Sequence, residues 1–115
     1  MKKVALMVFN GESMCFTHVM LYAKDFVEKG YEVKIILEGA ATKLPAQLID
    51  PDAPFANLFK FMMDNNLIES VCKACSVKMG AHDDIEKIGL PLNGELNGHP
   101  SLEKYVEQGY QVITF

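Results

Sequence analysis

The stretch VALMVF, Val4 to Phe9, is an unbroken apolar run. A strand with one face in water alternates apolar and polar residues, so an unbroken run marks a strand covered on both faces. Asn10-Gly11-Glu12-Ser13 ends it with turn chemistry. From Cys15 onward, Phe16, Val19, Met20, Ala23, Phe26 and Val27 recur at helical spacing. With Ser13 as N-cap and Gly30 as a stop after Lys29, a helix is expected over residues 14–29. VKIIL, Val33 to Leu37, then supplies a second β-branched run. It starts about thirty residues after the first strand, the length of a strand-helix-strand unit with a right-handed crossover. The sheet is therefore expected to be parallel.

Working outward from that unit, Ala46 to Ile49 can hold a short helix before Pro51 and Pro54 break it. Phe55, Leu58, Phe59 and Met62 form a second helical stripe that ends near Asn65-Asn66, and Ile68 to Cys72 reads as a short buried third strand. A helical turn and a helix begun by Asp83 or Asp84 are expected between Ser76 and Ile88, followed by a strand within Leu90 to Leu96 that Pro91 weakens. Ser101 caps a helix with Leu102, Tyr105 and Val106, Gly109 stops it, and Gln111 to Phe115 closes the chain as a strand. EKGYEVKI and EQGYQVIT look alike, which is expected of two helix-glycine-strand junctions rather than a repeat. The expected architecture is one domain over residues 1–115, a three-layer α/β/α fold with a mostly parallel sheet of about five strands.

A chain of 115 residues with 50% apolar content, 23% charged residues and net charge -4 fits one globular core and offers no basic stripe for nucleic acid. No span is long enough to cross a membrane and no targeting signal is read, so the cytoplasm is the expected location. Three cysteines in a reducing compartment argue for thiol chemistry or metal binding rather than a disulfide framework. No cofactor is expected.

In open parallel sheets ligands gather at the carboxyl ends of the strands. Cys15, Glu38, Cys72 to Lys78, and the turn Asn97 to Ser101 with His99 are all expected there, so Cys15, Cys72 and Cys75 should share one edge. A helix N-terminus lowers a thiol pKa, and Ser76 and Lys78 stand near enough to Cys75 to assist it. Cys75 is the best nucleophile candidate, whereas Cys72, at the end of an apolar strand, reads as well as buried filler as it does as a reactive thiol. His18 and His82 read as surface residues. A tetrahedral metal site for zinc or iron could draw on Cys15, Cys72 and Cys75 with His99 or His82, and a thiol-redox module on the same cysteines. Phe61, Leu21 and Tyr22 lie off the core faces, and with seven methionines in the chain they suggest an apolar patch covered by a second subunit.

The third strand runs into a cysteine a few residues ahead of a glycine, Cys75 before Gly80, and the chain closes with a helix, a glycine and a strand ending ITF. Over essentially its whole length it resembles the DsrE/DsrF-like family of small sulfur-relay proteins. More narrowly, it is similar to DsrE-like proteins that combine NGESMCF, VCKACS and a GHPS turn. The resemblance implies a parallel α/β/α fold, homo-oligomers, and a sulfurtransferase-like persulfide carrier with sulfur donor and acceptor proteins or small thiols as partners. By position it implies Cys75 as the sulfur acceptor and Cys72 as a neighbour able to resolve or relay the sulfur. The better-known carriers usually have one cysteine here and an Arg-Gly where this chain has Met79-Gly80.

Overall fold

In a computed structural model that describes residues 2–115, the apolar run becomes β1, Lys3–Val8, and Phe9 lies just beyond it. Val4 to Val8 are all buried, as a strand covered on both faces requires. α1, Ser13–Glu28, follows and buries Phe16, Val19, Met20 and Ala23 on one face, the i, i+3, i+4, i+7 stripe read from the sequence. Its N-cap is Glu12, without a side-chain cap; Ser13 is already helical, and its carbonyl accepts from the Thr17 hydroxyl. β2, Glu32–Leu37, pairs with β1 in parallel register from Lys3 opposite Glu32 to Val8 opposite Leu37.

The middle of the chain forms a 3₁₀ turn, Gly39–Lys43, running into α2, Leu44–Leu48, which starts two residues before the expected Ala46 and ends one short of Ile49. α3, Ala56–Asp64, buries Phe59 and Met62. Phe55, expected in that stripe, instead caps α3 in the left-handed region at φ 67° and stays largely exposed. β3 is Ile68–Cys72. α4, Lys73–Lys78, starts at once, and α5, His82–Ile88, begins one residue earlier than the aspartates suggested. Asp83 and Asp84 sit in its first turn, where carboxylates suit the positive end of the helix. β4 shrinks to Leu92–Asn93, the part of 90–96 that lies beyond Pro91. α6, Glu103–Glu107, is capped by Leu102 rather than Ser101, and β5 is Gln111–Thr114.

The two similar junctions close in the same way. Gly30 at φ 86° and Gly109 at φ 90° take the left-handed position after α1 and α6. Each is followed by a tyrosine N–H that reaches back five residues, Tyr31 to the Phe26 carbonyl and Tyr110 to the Tyr105 carbonyl, both at 3.0 Å. One local motif used twice accounts for the likeness without any repeat.

The five strands form one sheet in the order β4-β3-β2-β1-β5, and every pair is parallel. Steps from β1 to β4 run in one direction across the sheet, so right-handed crossovers put their helices on one face. That face carries the larger core, in which Leu6, Val8, Ile35 and Leu37 meet Phe16, Leu44, Phe59 and Ile85 from α1, α2, α3 and α5. The return from β4 to β5 runs the other way, and α6 is therefore on the opposite face. There Tyr105 and Tyr110 cover Ala5, Met7 and Ile36. The second layer is thin and partly polar: Lys34 lies over the Tyr105 and Tyr110 rings at 5.8 and 5.0 Å and pairs with Glu69 at 3.6 Å, and the Tyr110 hydroxyl donates to Glu32. Among the described residues no helix is long and apolar enough to cross a membrane.

Leu6 is fully buried in β1 between the sheet and α1. Leu6→Ala should cost about 3 kcal/mol of stability, read as a lower urea midpoint. Val106→Ala, on the exposed side of α6, should stay within about 0.5 kcal/mol.

A candidate thiol-histidine-carboxylate site

Three strand ends converge at the carboxyl edge of the sheet. Cys72 is the last residue of β3, Glu38 follows β2, and His99 lies in the connection after β4. The connection leaving β3 packs on the larger core, whereas the one leaving β4 crosses to the opposite face. Adjacent strands whose connections part to opposite sides leave a crevice at their carboxyl ends, the usual place for a site in this architecture.

Cys72, Cys75, His99 and Glu38 meet there, with one ligand atom from each lying within 4.8 Å of all the others. His99 Nδ1 is 3.0 Å from Cys72 Sγ, 3.8 Å from Cys75 Sγ and 3.5 Å from Glu38 Oε1. All three neighbours face the same ring nitrogen. A relay of the serine-protease kind, with the carboxylate on one nitrogen and the nucleophile on the other, is therefore not built here. Glu38 is mostly buried, at 13% side-chain exposure, while His99 at 44% opens the cluster to solvent.

The two thiols differ sharply. Cys72 is fully buried and caps α4, its sulfur accepting the Cys75 N–H at 3.3 Å. Its Sγ also stands 3.8 Å from the Gly98 carbonyl, a contact in which a protonated thiol donates. A helix N-terminus lowers a thiol pKa, but here burial is the larger effect. Burial pushes Cys72 up to about 12; the Cys75 N–H lowers it only in part, while Cys75 and Glu38 nearby raise it further. Cys75, one turn on, is partly exposed. The helpers expected for it are engaged elsewhere: the buried Ser76 hydroxyl donates to the Cys72 carbonyl at 2.7 Å, and Lys78 is exposed at the far end of α4. Cys15 is exposed on the first turn of α1 and stands outside the four-residue cluster. Of the three thiols expected on this edge, two converge. His18 is exposed, and His82 is half-buried beside Asp83 and Glu86.

His99 is held by its loop. The Ala74 N–H at the start of α4 donates to the Gly98 carbonyl at 2.8 Å, and Leu96 and His99 exchange backbone bonds at 2.7 and 2.8 Å. Gly98 sits at φ 93° with its α-carbon so close to α4 that a Cβ would meet the Ala74 methyl at 2.9 Å. Glu95 ties the loop to α6, accepting from Lys104 at 2.8 Å and from the Ser101 N–H at 3.0 Å, contacts that hold its carboxyl down at about 2. The sequence suggests His99 beside the cysteines, as one choice for a metal set, but leaves Glu38 outside that set. The Asn97 to Ser101 turn is legible in the sequence, but not the part Gly98 plays in it, although the glycine of GHP was the available signal.

Comparison with known proteins agrees with this architecture. The sequence pattern of the DsrE/DsrF-like family matches residues 3–115. An uncharacterised protein of Methanocaldococcus jannaschii is 37% identical over 117 residues, spanning 96% of this chain and 93% of that protein. An uncharacterised protein of Archaeoglobus fulgidus is 48% identical over 44 residues, 38% of this chain and 72% of its own length. Among solved structures, a conserved protein of unknown function from Bacteroides thetaiotaomicron shares the fold with a TM-score of 0.73 at 19% identity, covering 99% of this chain and 95% of that one.

Two outcomes are expected of the site. Alkylation of the native, reduced protein should consume the exposed Cys15 first and Cys72 last; Gly98→Ala, which must move the loop off α4, should speed Cys72 labelling, as peptide mass mapping would show. The raised Cys72 pKa also sets a direction with pH. The unfolded thiol ionises near ~8.5 while the folded one keeps its proton, so the contribution of Cys72 is complete below that pH and declines above it. The stability difference between wild type and Cys72→Ala, from urea titrations, should therefore shrink as pH rises from ~8.5.

Proposed function

From the premise that the chain belongs to the DsrE/DsrF-like family, we propose that it is a sulfur carrier that takes up sulfane sulfur on Cys75 and passes it on. The observation that carries this is the unequal pair: a partly exposed thiol at Cys75, and one turn away a fully buried thiol at Cys72 in contact with His99 Nδ1.

The chemistry follows from that inequality. The Cys75 thiolate attacks the outer sulfur of a persulfide or polysulfide donor; an S–S bond forms to Cys75, the donor's S–S bond breaks, and the donor leaves as a thiolate. Discharge has two routes. An acceptor thiolate can attack the outer sulfur, taking it and restoring the Cys75 thiolate. Alternatively, His99, in the tautomer with its proton on Nε2, takes the Cys72 proton at Nδ1. The Cys72 thiolate then attacks the inner sulfur of Cys75, forming a Cys72–Cys75 disulfide and expelling hydrosulfide, which recovers the proton from His99. Two external thiols reduce the disulfide. Because burial holds Cys72 protonated, the second route stays slow until His99 acts, which protects the loaded state.

Donor and acceptor are proteins or small thiols that can reach the open, His99 side of the crevice. Leu21, Tyr22 and Phe9, each about half exposed, supply apolar surface for self-association, and we place the carrier in the cytoplasm.

Reduced protein incubated with inorganic polysulfide should gain the mass of one sulfur atom, reversibly with reductant. The adduct should persist in Cys15→Ser and vanish in Cys75→Ser. No adduct with any of several sulfane donors, or an adduct on Cys15 alone, would end the proposal. In the loaded protein, His99→Ala should slow intramolecular release of sulfide by about 100-fold, the scale of one proton-transfer group, with loading unchanged.

A further inference from the structure

We infer that Glu38, Cys72, Cys75 and His99 form a four-ligand site for a thiophilic divalent cation of the zinc class. This goes beyond the carrier function and does not depend on it.

The composition of the cluster is the first support. Two thiols, one imidazole and one carboxylate are the donor types that zinc takes in protein sites. Their spacing is the second. A tetrahedral ion bound at ~2.0–2.3 Å sets neighbouring N, O and S donors about 3.3 to 3.8 Å apart. Cys75 Sγ and Glu38 Oε1 stand 3.8 and 3.5 Å from His99 Nδ1, and Cys72 Sγ at 3.0 Å needs to move by less than an ångström.

Electrostatics is the third. Three groups that ionise as anions surround one nitrogen that can donate to only one of them, and among the described residues Glu38 pairs with no lysine. Burying a carboxylate against two sulfurs is costly unless something positive lies between them. A cation there would satisfy all four donors together. On binding, two thiol protons leave and two metal–sulfur bonds form, so the buried Cys72 becomes a thiolate without being stranded as a bare charge. His99, with its proton on Nε2, turns the Nδ1 lone pair to the metal. The rigid supports are already present: β2 and β3 end on Glu38 and Cys72, and the Ala74–Gly98 hydrogen bond fixes His99 against α4. Cys15 has no part in this set. An occupied site would also engage the Cys75 sulfur, so cation binding and sulfur loading should exclude each other.

Cobalt(II) and zinc(II) test this directly on the full-length reduced protein under anaerobic conditions. Cobalt should bind one per chain with a thiolate charge-transfer band and intense tetrahedral d–d bands, and stoichiometric zinc should abolish both. Cys15→Ser should reproduce these spectra. Cys72→Ser and Cys75→Ser should lose the tetrahedral signature, and Glu38→Gln and His99→Ala should weaken binding at least tenfold. Circular dichroism of each variant separates lost binding from lost folding, and a variant that does not fold is replaced by Cys75→Ala, whose partly exposed side chain bears little on the core. An octahedral cobalt spectrum, or binding that survives loss of Cys75 but requires Cys15, would overturn the site. Cation binding without a sulfur adduct would count against the carrier alone; a sulfur adduct without cation binding would count against this inference alone.

Discussion

The handedness of the strand connections governs the rest of this molecule. Each parallel pair needs a crossover, and a right-handed crossover packs its helix on a face set by the direction of the step. Three steps run from β1 to β4 and one returns to β5, so α1, α2, α3 and α5 share one core while α6 reaches the other face. The connections leaving β3 and β4 consequently diverge, and the crevice they leave is where the carboxyl ends of three strands deliver Glu38, Cys72 and, through its loop, His99. The chemistry sits where the topology changes direction.

Within that crevice two opposing effects act on one sulfur. Capping a helix offers Cys72 an N–H and the positive end of aligned peptide dipoles, both of which favour a thiolate. α4, however, has only six residues, while burial of Cys72 is complete. Desolvation outweighs the cap, and the thiol keeps its proton. Three residues on, Cys75 escapes the burial. A CxxC spacing across a strand-to-helix junction thus yields two chemically unlike sulfurs, one inside the sheet and one at its rim.

The site depends on contacts that appear modest in isolation. One hydrogen bond from Ala74 to Gly98 and the absence of a side chain at Gly98 let the long return connection rest against α4. The tie from Glu95 to Ser101 and Lys104 anchors the same loop to α6 on the other side. His99 is therefore placed by both faces of the sheet, and it is the element through which any rearrangement of the thinner layer would reach the thiols.

How much of this was legible from residue order follows from the range of the forces involved. VALMVF, VKIIL and the Phe16 to Ala23 stripe show strands and helix directly, because burial on one or both faces is written in local periodicity. The parallel sheet and the edge that carries the chemistry followed from spacing and chirality, and the family from motifs over the whole chain. Caps were less legible: Ser13 and Ser101 have the right side chains, but the helices start beside them, with Glu12 and Leu102 in the cap positions and no side-chain cap bond at either. Only the tertiary structure decided which thiols meet. Local pattern could set Cys72 in a buried strand and Cys15 and Cys75 beyond strand ends, but not show that Cys75 joins Cys72 while Cys15 stays apart on the exposed turn of α1. The separation of Cys72 from His99 by 27 positions, closed to 3.0 Å, is a fact of strand order and loop packing, which no local pattern encodes.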